Sequence, residues 1–158
     1  MRHIYEEIIG YAGALRRFRA GSAETFLYLV SDFGFNPMTF DETKYGAVCS
    51  FESATTVVEL HLDWREELIF VYVRPGARSG DRALLSPPGV LLDAIMVHRG
   101  ERPEKQVGIL KSERMLATLR DYARALRADA SEALRGDFRE LILIRTTHPE
   151  PNWRWLNP

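Results

Sequence analysis

The stretch from residue 58 to 64 alternates apolar and polar side chains, and this alternation restricts the fold more than any other part of the sequence. The apolar positions are Val58, Leu60, Leu62 and Trp64, and the polar positions are Glu59, His61 and Asp63. Successive side chains of a β-strand point to opposite sides of the sheet. The alternation therefore predicts a strand with one buried face and one polar face.

Two further strands are predicted beside this one. Residues 45–51 alternate in the same way, and residues 68–73 are apolar at every position. A continuous apolar run indicates a strand covered on both faces, so we expect the third strand to lie centrally in the sheet. The polar segment 63–67 is typical of a hairpin turn between the second and third strands, and Pro75 and Gly76 end the third.

Helical periodicity appears before the strands. Apolar residues recur at spacings of three or four from Ile4 to Phe33, which predicts an N-terminal helical segment. Gly21 and Ser22 interrupt the pattern, and the sequence leaves open whether this segment is one kinked helix or two. Gly34 is expected to stop the segment in a left-handed conformation.

Helices are also predicted after the strands. Apolar periodicities follow Ser86, Ser112 and Asp137, and the first two end near residues 99 and 134. Ser86 and Asp137 are expected to cap their helices, and Ser112 is expected to open the longer one. The predicted fold class is α+β. It combines the N-terminal helical segment, a three- or four-stranded antiparallel meander, and C-terminal helices packed on one face of the sheet.

The length of 158 residues fits a single domain that buries its own core. We predict one α+β domain over residues 1–147 and an irregular tail over residues 148–158. This Pro-rich tail contains Trp153 and Trp155, two large aromatic side chains that we expect to pack on the domain or on a partner.

Charge and cysteine content restrict the cellular context. The net charge of −1 disfavours nucleic acid and membrane surfaces as partners, because both attract a positive field. The only cysteine is Cys49, so no internal disulfide is available, and its predicted strand makes it a buried packing residue. Without an apolar run of about 20 residues or a signal peptide, we expect a cytoplasmic protein.

The polar face of the middle strand is the strongest candidate for chemistry. Side chains two residues apart on a strand lie about 7 Å from one another, which would allow Glu59, His61 and Asp63 to share a proton network or an ion. However, the chain has four histidines with no paired spacing, and it contains no recognisable nucleophile, phosphate or metal motif. We therefore interpret this face as solvated sheet and assign no catalytic residue, metal or cofactor.

A protein-binding surface is the function that we predict for this face. Its residues would be Glu59, His61, Asp63, Arg65 and Arg74, which lie on the polar face or in the adjoining turn and strand end. One alternative is a small metal-dependent hydrolase in which His61 is the base and Asp63 orients it. Another is an assembly subunit that forms a homodimer through its tail or long helix.

Several segments support a resemblance that points the same way. They are FLYLVSDFGF at 26–35, VVEL at 57–60, DWRE at 63–66, Arg74-Pro75, and LRGDF at 134–138. With these segments the chain resembles a loose group of small uncharacterised bacterial proteins, and its layout is similar to that of immunity proteins of polymorphic toxin systems. The resemblance implies docking on a protein partner such as a toxin, and it carries over no catalytic residue.

Overall fold

The computed structural model describes the backbone of residues 2–83, 85 and 87–147, and the side chains of residues 11–82, 85 and 87–147. One antiparallel sheet forms the middle of the fold, with its strands in sequence order. The strands are β1 Thr39–Thr43, β2 Gly46–Glu52, β3 Thr56–Asp63, β4 Leu68–Pro75 and β5 Val90–Leu91. The helices are α1 Arg2–Thr25, α2 Leu27–Phe33, α3 Leu92–His98, α4 Ser112–Asp129, α5 Ser131–Leu134 and α6 Arg139–Thr147. The predicted α+β class is confirmed.

The sheet has an inner face, which carries the core, and an outer face. Directly paired residues of neighbouring strands share a face, and on the inner face Cys49, Leu60 and Val71 form one row across β2, β3 and β4. All three are buried, and they belong to a cluster that also includes side chains from α1 and α4. The alternation predicted for β3 is therefore confirmed, with its apolar residues turned toward the helices.

The sheet has five strands, one or two more than predicted. The third predicted strand was expected to be covered on both faces and to lie centrally, and both expectations were wrong. That strand is β4, and its residues alternate between buried and half-buried, so it is covered on one face only. Phe70 and Tyr72 are aromatic, but their positions in the strand place them on the outer face. The central strand of the sheet is β3, because β1 and β5 extend the meander on both sides.

Gly21 has a packing role in α1 and does not break the helix. A Cβ at this position would lie 2.9 Å from a Leu119 methyl group, so the glycine allows α1 and α4 to approach closely. The helix continues to Thr25, and α2 follows as a separate short helix. Gly34 ends α2 with φ of 74°, which confirms the predicted left-handed stop.

The C-terminal helices differ from the prediction in where they begin and end. The helix expected after Ser86 begins at Leu92, because Val90 and Leu91 pair with β4 as a short strand; the side chain of Ser86 lies outside the described residues. The long helix α4 begins at Ser112, as predicted, with Lys111 at the cap position. This helix ends at Asp129 before the separate α5, so the single helix predicted to reach residue 134 was wrong.

The last helix begins at Arg139, so Phe138 holds the cap position and Asp137, the predicted cap, precedes it by one residue. The Arg139 backbone N–H donates to Asp137 Oδ1 at 3.2 Å, which satisfies one of the free donors of the first turn of α6. Arg99 joins this helix to the end of α3 through two hydrogen bonds to the Glu140 carboxylate, of 3.0 and 2.8 Å.

A side chain completes the edge of β4 where β5 is too short to pair with it. Gln106 lies in the loop between α3 and α4, and its Oε1 accepts the Ile69 N–H at 2.7 Å. Its Nε2 donates to the Ile69 carbonyl at 2.7 Å and to the Tyr122 hydroxyl at 2.9 Å. The amide side chain thus takes the place of a paired strand residue.

Candidate functional site on the outer face

The outer face is organised in rows that cross the strands. One row consists of Asp41, Val48, His61 and Phe70, and the next consists of Thr39, Ser50, Glu59, Tyr72 and Leu91. The central side chains of both rows are half-buried. Regular strand pairing therefore places an imidazole, a carboxylate and two aromatic rings side by side on a stiff part of the fold.

Glu59 is the centre of a polar cluster in these rows. It forms a close ion pair with Arg74, its Oε1 lies 3.5 Å from His61 Nε2, and its Oε2 accepts a hydrogen bond of 3.4 Å from Ser50. The side chains of Glu59 and Arg74 are 18% and 19% exposed. The His61 contact lowers the pKa of Glu59, burial opposes this, and Arg74 lowers it further, to about 2. The carboxylate is therefore charged at neutral pH.

Aromatic rings adjoin this cluster. The His61 and Tyr72 rings meet edge to face, with their centroids 5.0 Å apart. Phe70 lies on the other side of Tyr72, at 6.5 Å. Burial raises the pKa of Tyr72, and the Glu59 and Asp93 carboxylates raise it as well, so its hydroxyl is neutral at physiological pH. These rings border a shallow depression of about 360 Å³ that extends toward the turn between β1 and β2.

Asp63 ends β3, and Arg65 lies in the turn between β3 and β4 that Asp63 holds. Asp63 Oδ1 accepts the backbone N–H of Arg65 at 2.9 Å and of Glu66 at 3.2 Å. The Arg65 guanidinium lies 3.5 Å from Asp63 Oδ2 and 3.4 Å from the centre of the Tyr45 ring. Of the five candidate residues, the structure thus brings Glu59, His61 and Arg74 together and places the other two at this turn.

The contacts of the acidic groups differ from those that the hydrolase alternative assumes. The carboxylate that contacts His61 is Glu59, whereas Asp63 is engaged by backbone N–H groups and by Arg65. Within residues 11–82, 85 and 87–147, no group of three or more His, Cys, Asp or Glu side chains is arranged to hold a metal ion. The ionised Glu59 carboxylate is best described as a fixed charge paired with Arg74, and the buried His61 Nε2 beside it has no hydrogen-bond partner among the described residues.

Sequence reasoning missed three contributors to this face, namely Ser50, Phe70 and Tyr72. The sequence does contain a signal, because the β-branched residues at 69, 71 and 73 alternate with leucine, aromatic residues and arginine at 68, 70, 72 and 74. It was hidden by the apolar character of the whole run, which does not distinguish a core residue from an aromatic residue on the other face.

Two other predicted features have different outcomes. Cys49 is fully buried, as expected, and burial raises the pKa of its thiol to about 12, against smaller opposing effects of Ser22 and Arg19. The thiol is therefore an unreactive packing group. Trp153 and Trp155, with the rest of the predicted tail at 148–158, lie outside the described residues.

Comparison with known protein families, with characterised proteins and with solved structures finds no match for this chain. Among the helices that the structure describes, none has the length and apolar character required to cross a membrane. The case for a function therefore depends on the geometry of the outer face.

Proposed function

We propose that the chain is a non-catalytic protein-binding module of the immunity kind, and that the outer face of its sheet docks on a protein partner such as a toxin. The observation that carries this proposal is the cluster of half-buried aromatic and charged side chains held in fixed positions on β3 and β4. Glu59, Arg74 and Tyr72 are its central members.

The composition of the face supports binding to a protein. Aromatic residues supply large contact areas at a small cost in conformational entropy, and they are enriched at the centres of interfaces. Phe70 and Tyr72 occupy that position here, with charged residues around them. Because both residues lie on paired strands, fixing their side chains on association costs little conformational entropy.

The charges indicate the kind of partner. Arg65 and Arg74 are neutralised by Asp63 and Glu59. Asp41 and Glu52 lie at the margin of the face, and within the described part of the chain neither has an ion pair. A complementary surface would therefore be apolar in its centre and basic along the side that meets β1 and β2.

The state of the acidic groups supports binding more than catalysis. Glu59, whose pKa is about 2, stays ionised and paired with Arg74 at neutral pH, whereas the base of the hydrolase alternative would be His61. The carboxylate that the hydrolase alternative requires, Asp63, has backbone N–H partners that hold a turn.

Titration calorimetry with the purified product of the adjacent gene tests the proposal. Phe70→Ala and Tyr72→Ala should each weaken binding about tenfold or more, because each removes a central aromatic contact. Leu143→Ala is the matched control, since Leu143 is an exposed apolar residue on α6, and its affinity should equal that of the wild type.

Two outcomes would count against the proposed function. Alanine at all five of Glu59, His61, Asp63, Arg65 and Arg74, in a variant that still folds, should abolish binding, and unchanged affinity would exclude this surface. Metal analysis of the purified protein distinguishes the hydrolase alternative, because stoichiometric zinc, iron or manganese would favour that alternative over docking.

A further inference from the structure

The strand at one end of the sheet has an open edge. β1 pairs with β2, and on its other side it has no strand partner among the described residues. Four of its five residues are exposed, and only Phe40 is half-buried. Backbone N–H and C=O groups at such an edge are available to another chain.

The turn between β1 and β2 determines which backbone groups are free. Lys44 and Tyr45 form a two-residue turn, so the flanking pair Thr43 and Gly46 exchanges both hydrogen bonds. Hydrogen-bonded and open pairs then alternate along the ladder. Thr39, Asp41 and Thr43 therefore direct their backbone groups toward β2, whereas Phe40 and Glu42 direct theirs outward.

Two hydrogen bonds agree with this alternation, one at Glu52 in β2 and one at Tyr45 directly before β2. The Asn36 N–H donates to the Glu52 carbonyl at 2.8 Å, so an even-numbered residue of β2 faces the β1 side. The Trp64 N–H donates to the Tyr45 carbonyl at 2.9 Å, so an odd-numbered residue faces the β3 side. The assignment of Phe40 and Glu42 as the outward pair follows from these contacts.

An apolar groove runs beside this edge, between α1 and the inner side of β1. Its volume is about 440 Å³, and its walls include Leu15 and Phe40. Tyr11 and Trp64 stack in it with their ring centroids 5.0 Å apart, and the Arg19 guanidinium lies 4.9 Å from the centre of the Phe40 ring. A side chain from an added strand could enter this groove.

We propose that β1 accepts an extended segment of the protein partner as a sixth strand of the sheet. This inference rests on the proposed function and deepens it, because it specifies how the partner binds. The segment would pair with the outward groups of Phe40 and Glu42, place an apolar side chain in the groove, and place a lysine or arginine beside Asp41. Main-chain pairing supplies affinity in this mode, and alternate side chains supply specificity.

Charge favours a different chain over a second copy of this one. An antiparallel pairing of two β1 strands that used both outward residues would match Phe40 with Glu42 and place the two Asp41 carboxylates directly opposite each other. Like charges at that position are destabilising, whereas a basic residue is favourable. Since Asp41 begins the row that continues through Val48 and His61, a sixth strand would also extend the outer face.

A phage-displayed library of random dodecapeptides tests the inference. Selected peptides should alternate apolar and basic residues, and Glu42→Pro should weaken their binding about tenfold or more, because proline removes an outward N–H. Glu42→Ala is the matched control, which removes the same charge and retains the N–H, and it should bind within about twofold of the wild type. Asp41→Lys should reverse the charge preference of the selected peptides.

Amide exchange on the wild-type protein gives a second readout that needs no substitution. A bound peptide should slow exchange at Phe40 and Glu42, with little change at Asp41, whose N–H already faces β2. The inference is overturned if the library yields no binder, if Glu42→Pro and Glu42→Ala bind alike, or if protection appears elsewhere. Failure of the outer-face proposal can be told apart from failure of the strand-addition proposal. In the first case, Phe70→Ala would leave the affinity for the purified partner unchanged, whatever peptides the library yields.

Discussion

Glu59 illustrates how the site depends on pairing between strands. Its partner Arg74 is 15 residues away in the sequence, and the two meet only because β3 and β4 pair in a particular register. The sequence indicated that Glu59 and His61 share a face, since they are two apart on one strand. It could not indicate that Arg74 would neutralise Glu59, because a register shift of one residue would move Arg74 to the opposite face.

The lowered pKa of Glu59 predicts a pH dependence of stability. The folded-state pKa is about 2 and the ordinary value is 4.5, so the stabilisation is present above pH 4.5 and is lost as the pH falls toward 2. We expect Glu59→Gln to lower the free energy of unfolding by about 1 to 2 kcal/mol at pH 7, after allowing for solvent screening. Urea unfolding at pH 7 and at pH 3 measures this difference.

The matched control for that measurement is Glu52→Gln, which alters an exposed carboxylate on the neighbouring strand. It should change stability little at either pH. The difference between wild type and Glu59→Gln should shrink at the lower pH, and a difference that is independent of pH would contradict the assigned ion pair.

Among the elements, the strands with an apolar face were predicted and the two outer strands were not. β3 alternates from Val58 onward, so its two faces could be derived from sequence, although the strand begins at Thr56 with two further buried residues. β1 is mostly polar and β5 has two residues, and each exists because a neighbouring strand supplies its hydrogen bonds. Such tertiary pairing leaves no periodic signal. The pairing of Val90 and Leu91 with β4 is also the reason that the helix expected after residue 86 begins only at Leu92.

The edge of β4 gives a prediction at this scale. Gln106→Ala would leave the N–H and C=O of the buried Ile69 without partners, which should lower the free energy of unfolding by about 2 to 3 kcal/mol. Urea denaturation measures the loss, and faster amide exchange at Ile69 would locate it. Lys105→Ala, an exposed neighbour in the same loop, is the control and should change stability by less than about 0.5 kcal/mol.

At the scale of the whole molecule, the helices and the sheet share one core. The buried cluster joins Phe18 of α1, Leu60 of β3, Leu119 of α4 and Ile144 of α6. The helices therefore cannot separate from the sheet without exposing the apolar side chains of both.

A shared core predicts a single cooperative unfolding transition. Far-ultraviolet circular dichroism, which reports mainly on the helices, and near-ultraviolet signals, which report on aromatic packing, should give the same urea midpoint. Leu119→Ala should shift both midpoints together, with a loss of about 2 to 5 kcal/mol in the free energy of unfolding. Separate midpoints would indicate that the helices and the sheet unfold independently.

The bridge that Gln106 makes to Ile69 also restricts how this protein can be engineered. The bridge requires a particular number of residues between the end of α3 and Gln106. Residues added or deleted in that segment would move the Gln106 amide away from the backbone groups of Ile69. A Cβ added at Gly80 would meet no atom within 4 Å, so the segment between β4 and the short 3-10 helix Gly80–Ala83 is the better place for an inserted epitope or fluorescent reporter.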